Sequence, residues 1–137
     1  MITTHGMNAN AVLVQGAVGG VGPQAALLRL DTRTTDLNAN GVYGQAGAQV
    51  SVTDSILTTS GSGGGIRADG AATRITARNL YIGGGGAGGI GLNATGGTID
   101  SAGTTIINSG RPGMTLNASG GTAGRRCPAP SPGPSAR

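Results

Sequence analysis

Four glycine–apolar pairs, Gly41-Val42, Gly65-Ile66, Gly89-Ile90 and Gly113-Met114, recur at intervals of 24 residues. Neighbouring columns keep the same register. Three positions past each glycine stand Gly44, Ala68, Leu92 and Leu116, and five past it stand Ala46, Gly70, Ala94 and Ala118. Between them run polar or small residues: Tyr43, Arg67, Gly91 and Thr115, then Gln45, Asp69, Asn93 and Asn117. Such period-2 alternation marks a strand with one buried face. A fixed repeat of this length marks a solenoid whose circuits stack on one another. An earlier copy, NANAV at 8–12 against NANGV at 38–42, lies 30 residues back, so one circuit should carry a six-residue insertion between Gly16 and Gln24. Insertions belong in the bends, because a stacked strand that slips turns its buried face outward.

Two further columns are legible. One holds Val50-Ser51-Val52, Arg74-Ile75-Thr76 and Thr98-Ile99-Asp100; the other holds Ile2-Thr3-Thr4, Ile56 to Thr59, Leu80-Tyr81-Ile82 and Thr105 to Asn108. Three short strands per circuit predict an all-β, right-handed parallel β-helix of about five turns over residues 1–123. Circuits then rise about 4.8 Å each. Val42, Ile66, Ile90 and Met114 should form a single enclosed pile. On the outside, Arg67 should lie over Tyr43, Asp54 against Arg78, and Asn93 beneath Asn117. Residues 124–137 read GRRCPAPSPGPSAR, and the dense proline removes ladder donors, so a disordered tail is expected there.

Composition narrows the core and the partners. Glycine supplies 29 of 137 residues, aromatics stop at two tyrosines, and Phe, Trp, Lys and Glu are absent. Only a narrow core of stacked aliphatics can be built from this. The formal charge of +4 leans on the tail: three of the nine arginines, Arg125, Arg126 and Arg137, lie there with no acid. A general basic face for nucleic acid is therefore not expected, and aromatics for base stacking are scarce. Cys127 is the lone cysteine, which excludes an internal disulfide. Neither a basic-then-apolar leader nor an 18-residue apolar run is present, so no membrane insertion by this segment is expected.

Chemical motifs are weak. Residues 83–88 and 84–89 satisfy GxGxxG, but Ile90 opens another strand-like copy where a dinucleotide site needs a helix. A phosphate-binding lysine loop is excluded by the absence of lysine. The period of 24 does not fit the nine-residue calcium β-roll. The five acids, Asp31, Asp36, Asp54, Asp69 and Asp100, never fall 24 apart, whereas a glycosidase needs converging carboxylates. Asp31 and Asp36 read as turn or cap residues of the widened circuit. His5 has no second histidine or cysteine with which to hold a metal. Asn93-Ala94-Thr95 and Asn117-Ala118-Ser119 are formal sequons explained by the repeat itself. No catalytic, cofactor-binding or metal-ligating residue is assigned, and no cofactor is expected.

The segments ITTHG, LTTSG and IINSG, each followed by a Gly-apolar copy, resemble the passenger domains of bacterial autotransporters, especially pertactin-like adhesins. The likeness spans roughly residues 2–122. It implies a secreted β-helix displayed at the cell surface, held at the outer membrane by a β-barrel domain that this sequence lacks. It also implies adhesive or stalk-like work, with host or neighbouring bacterial surface molecules and the rest of the passenger as partners. By that likeness the chain is a fragment. The alternative expectation is a piece of a carbohydrate-active β-helix, a polysaccharide lyase or hydrolase, centred on Arg67 and Asp69.

Overall fold

The computed structural model describes residues 1–16, 22–84, 90–108, 114–119 and 122–126. Among the described residues, fifteen short strands, numbered in chain order, form three five-stranded parallel sheets, and no helix occurs. Sheet A contains β1 (Ile2–Thr4), β4 (Asp31–Thr34), β7 (Ile56–Thr59), β10 (Tyr81–Gly84) and β13 (Thr105–Asn108). Sheet B contains β2 (Val12–Gln15), β5 (Val42–Gln45), β8 (Gly64–Asp69), β11 (Ile90–Thr95) and β14 (Met114–Ser119). Sheet C contains β3 (Gln24–Leu28), β6 (Gln49–Thr53), β9 (Arg74–Arg78), β12 (Thr98–Ala102) and β15 (Thr122–Arg126). The chain visits A, B and C in unbroken rotation, and each strand pairs only with those one visit earlier and later. This is a β-solenoid.

Alternation decides which side chains enter. Val42, Ile66 and Leu92 of sheet B, Val52, Ile75 and Ile99 of sheet C, and Leu57 and Ile82 of sheet A are buried. Each such aliphatic contributes about 1.5–3 kcal/mol when fully removed from water. The core needs smallness as much as bulk. Gly44 leaves room for Ile75, whose Cδ1 lies 3.2 Å from where a Cβ would stand, and Gly65 yields its space to Ile82.

Register corrects the sequence reading in one column. Ile66 pairs with Leu92, 26 residues on, while Ile90 pairs with Gly64 and Met114. Val42, Ile66, Ile90 and Met114 therefore do not form one pile. The continuous column is Val12, Val42, Ile66, Leu92 and Leu116. A slip of two residues preserves the in–out alternation, so the pattern alone cannot separate Ile90 from Leu92. Packing can: Leu92 is wholly buried and sets Ala94 over Ala68, whereas Ile90 is only partly buried.

Other offsets also depart from 24. Sheet A steps by 30, 25, 25 and 24 residues, and sheet C by 25, 25, 24 and 24. In consequence the Asp54 carboxylate does not stack on Arg78, whose register partner is Thr53; Asp54 meets Arg78 only through its backbone N–H, and its carboxylate accepts a hydrogen bond from Asn79 Nδ2 at 3.1 Å. Val12 pairs with Val42 at an offset of 30 but Gln24 pairs with Gln49 at 25, so five extra residues lie between Gln15 and Gln24. Asp31 is a strand residue, not a turn: with Thr32, Arg33 and Thr34 it forms β4. The last strand, β15, runs to Arg126, three residues past the boundary read from sequence. Cys127 and the remaining tail lie outside the described residues.

Candidate functional site

The outer face of sheet B carries a cluster that the register assembles. Tyr43 pairs with Arg67 and Gln45 with Asp69, so an aromatic, a cation and an anion share adjacent circuits. The expected placement of Arg67 over Tyr43 is present, with the guanidinium carbon 5.0 Å from the ring centroid. Asp69 lies two residues beyond Arg67, hence on the same face. Its Oδ2 accepts from the Tyr43 hydroxyl at 2.9 Å and from Arg67 Nη2 at 3.1 Å. Asn93 follows Arg67 in the next circuit, and Thr95 follows Asp69.

This cluster is half in solvent, with the Arg67 and Asp69 side chains 29% and 32% exposed. At such exposure the ion pair contributes about 0.2–1 kcal/mol and the cation–π contact about 0.5–1 kcal/mol. Arg67 Nε, in contrast, is buried without a partner, which offsets part of that gain. The Tyr43 phenol is pushed above its ordinary value, first by burial and then by its hydrogen bond to Asp69; the nearby Arg67 charge opposes the shift. A phenol so held stays protonated and donates to the carboxylate. The arrangement can orient hydroxyl or amide groups of a ligand. It holds a single carboxylate.

The other acids stand elsewhere. Asp31 is exposed on sheet A and Asp100 lies on β12 of sheet C. Asp36 sits between β4 and β5, where its Oδ2 accepts from Gly6 N at 2.7 Å and from the Thr35 hydroxyl at 3.1 Å. Asp54 occupies the bend after β6. The five carboxylates are thus spread over three sheets and two bends. His5 is exposed, with Nδ1 2.9 Å from Thr35 Oγ1. Among the described residues no group of three or more His, Cys, Asp or Glu is placed to hold a metal ion. Among them also, no helix is long and apolar enough to cross a membrane. Residues 85–89 of the two GxGxxG matches fall outside the described residues, while Gly83 and Gly84 belong to β10.

Sequence reasoning missed a buried amide ladder in the bend from sheet A to sheet B. Asn40, 3% exposed, donates its backbone N–H and its Nδ2 to Asn10 Oδ1 at 2.9 and 2.8 Å. Its own Oδ1 accepts from Gly64 N at 2.8 Å. The signal was present in the NANAV and NANGV copies. Amide stacking is expected from sequence at Asn93 and Asn117 instead; those residues do pair in register.

Compared with known proteins, the chain matches no family model, no curated protein and no solved structure.

Proposed function

We propose that this chain is a non-catalytic, surface-exposed segment of an autotransporter-type secreted protein, working as a scaffold or adhesive stalk. In the same reading the solenoid is a right-handed parallel β-helix of five circuits. Right-handed crossover is the rule for parallel strands joined in this way. The carrying observation is the unbroken A–B–C rotation of short parallel strands around one aliphatic core. Each circuit contacts only its neighbours, so length is gained with few large side chains. The spread of the carboxylates over different faces favours a scaffold over a two-carboxylate hydrolase.

Surface display requires the remainder of the passenger and an outer-membrane β-barrel encoded alongside. The partners are host or neighbouring bacterial surface molecules, with no nucleic acid, and no cofactor takes part. The alternative, a fragment of a carbohydrate-active enzyme, draws on the Arg67–Asp69 pair. Two measurements separate the readings. Coding sequence downstream that continues the strand pattern into a membrane β-barrel supports the surface scaffold, and a soluble catalytic domain there contradicts it. Saturable binding of the purified chain to host cells, without turnover of a uronate and host-glycan panel, is the expected behaviour. Glycan cleavage that vanishes on Asp69→Ala would establish the enzyme instead.

A further inference from the structure

A shallow open cavity of about 370 Å³ lies on the outer face of sheet C, with Gln24, Ala26, Gln49, Ser51, Arg74 and Thr76 in its lining. The ladders give it an axis. Gln24, Gln49 and Arg74 pair in one column, and Ala26, Ser51 and Thr76 pair in the next, so both run along the solenoid axis. Successive members stand about 4.8 Å apart. The small column is the floor of a trough, and the amides and guanidinium form its side. Gln49 is held in place by bonds from Nε2 to Ala72 O at 2.7 Å and Gly47 O at 3.3 Å.

The one charge in the trough lining is positive, that of Arg74; Asp54, on the bend beside Arg78, lies outside the lining. Arg74 and Arg78 both point outward from β9 and are exposed. Four residues along a strand place them about 13 Å apart. The ion pair found among the described residues is Arg67–Asp69, on another face, so neither arginine is neutralised in that way. Asp100 lies one circuit further on, in register with Thr76 and outside the cavity lining, and bounds the cationic stretch. Tyr43 and Tyr81 are on sheets B and A, so no ring lines the trough for base stacking.

We propose that this trough binds an acidic glycan laid along the solenoid axis. A carboxylate on the sugar pairs with Arg74 through two parallel N–H donors, a geometry that guanidinium supplies and ammonium does not. Gln24, Gln49, Ser51 and Thr76 meet the sugar hydroxyls, which both donate and accept. The trough rests on the adhesive reading above and gives it a ligand class.

The test uses the full chain with hyaluronan hexasaccharide, neutral maltohexaose and an oligothymidylate as probes, followed by titration calorimetry. The hexasaccharide is expected to bind, with affinity falling as salt rises, and maltohexaose is not. Arg74→Gln should weaken binding about tenfold or more, as loss of a bidentate charged pair does. Arg33→Gln removes an exposed arginine from the outer face of sheet A and should leave affinity within about twofold. Ser51→Tyr, which fills the trough floor without altering charge, should also abolish binding. Equal losses for Arg74→Gln and Arg33→Gln, oligothymidylate binding of the same strength, or no hexasaccharide binding would each overturn the proposal. Host-cell binding by the same samples keeps the two readings apart: adhesion that survives Arg74→Gln while hexasaccharide binding is lost overturns the trough as the adhesive surface and leaves the adhesive reading standing.

Discussion

The bend from sheet C to sheet A and the bend from sheet B to sheet C differ in how they treat chain length. From Ala25, Val50, Ile75 and Ile99 of sheet C to Thr32, Leu57, Ile82 and Ile106 of sheet A the count is always seven. From Val12, Val42, Ile66, Leu92 and Leu116 of sheet B to their sheet C counterparts the counts are 13, 8, 9, 7 and 7. The constant bend turns on one residue with positive φ in every circuit: Arg29 at 52°, Asp54 at 49°, Asn79 at 52° and Gly103 at 63°. Successive circuits are tied there by backbone bonds, from Asp54 N to Arg78 O at 3.0 Å and from Asn79 N to Ala102 O at 2.9 Å. The variable bend uses whichever small residues are at hand, such as Ala46, Gly47, Gly70, Ala72 and Gly96, all at positive φ. One corner holds register and another absorbs change.

The strongest way to break this contrast is insertion. One glycine placed between Asp54 and Ser55 should shift β7 by a residue and turn buried Leu57 outward, removing the cooperative melt followed by circular dichroism. The same glycine between Gly70 and Ala71 should cost about 1 kcal/mol or less, since loop length enters only weakly. Equal damage from both insertions would erase the distinction between the bends. Next in size comes the core that both bends serve. Ile75→Ala should destabilise by about 2–5 kcal/mol in urea titration, because Ile75 is fully buried beside Gly44.

Much of this architecture was legible in the residues, and the misses have a common cause. Sheets A and C are legible from Leu57, Ile82, Val50, Ile75 and Ile99, because β-branched and leucine side chains alternate there, but their columns drift from the 24-residue count. The pairing of Ile90 is not legible because alternation cannot register a slip of two; only the match of Leu92 to Ile66 and Ala94 to Ala68 settles it. A period of 24 sets Asp54 against Arg78, whereas the bend demands 25 and pairs Thr53 with Arg78. Of the surface cluster, Tyr43 and Arg67 were found by register, while the bridging role of Asp69 needed distances. The trough on sheet C left no motif, since glutamine, serine and threonine are ordinary residues until the ladders align them.

Smaller changes sharpen the account of the constant corner. Gly103→Val forces a β-branched residue to φ +63°, where its Cβ would stand 2.5 Å from Asn79 Oδ1, and should cost about 1–3 kcal/mol in the same urea titration. Arg29→Gly should act in the opposite sense by relieving a side chain held at φ 52°, a gain of about 0.5–1 kcal/mol read from the urea midpoint. The smallest effect is on sheet B and follows pH. Because the Tyr43 phenol is raised above its ordinary 10.0, its contribution is complete below that value and is lost as pH climbs past the folded one. Tyr43→Phe should remove that alkaline component from a melting series.

Disulfide trapping on the outer face of sheet B addresses the register most directly. With Cys127 replaced by serine, Asp69→Cys paired with Thr95→Cys places two cysteines in register across neighbouring circuits. Parallel neighbours about 4.8 Å apart lie within disulfide reach, whereas a partner two residues out of register lies at its edge or beyond. Rapid, near-complete oxidation of the 69–95 pair, with little for Asp69→Cys paired with Asn93→Cys, is the predicted result. Preferential closure of the 69–93 pair would mean a strict 24-residue register and would contradict the stacking described for these sheets.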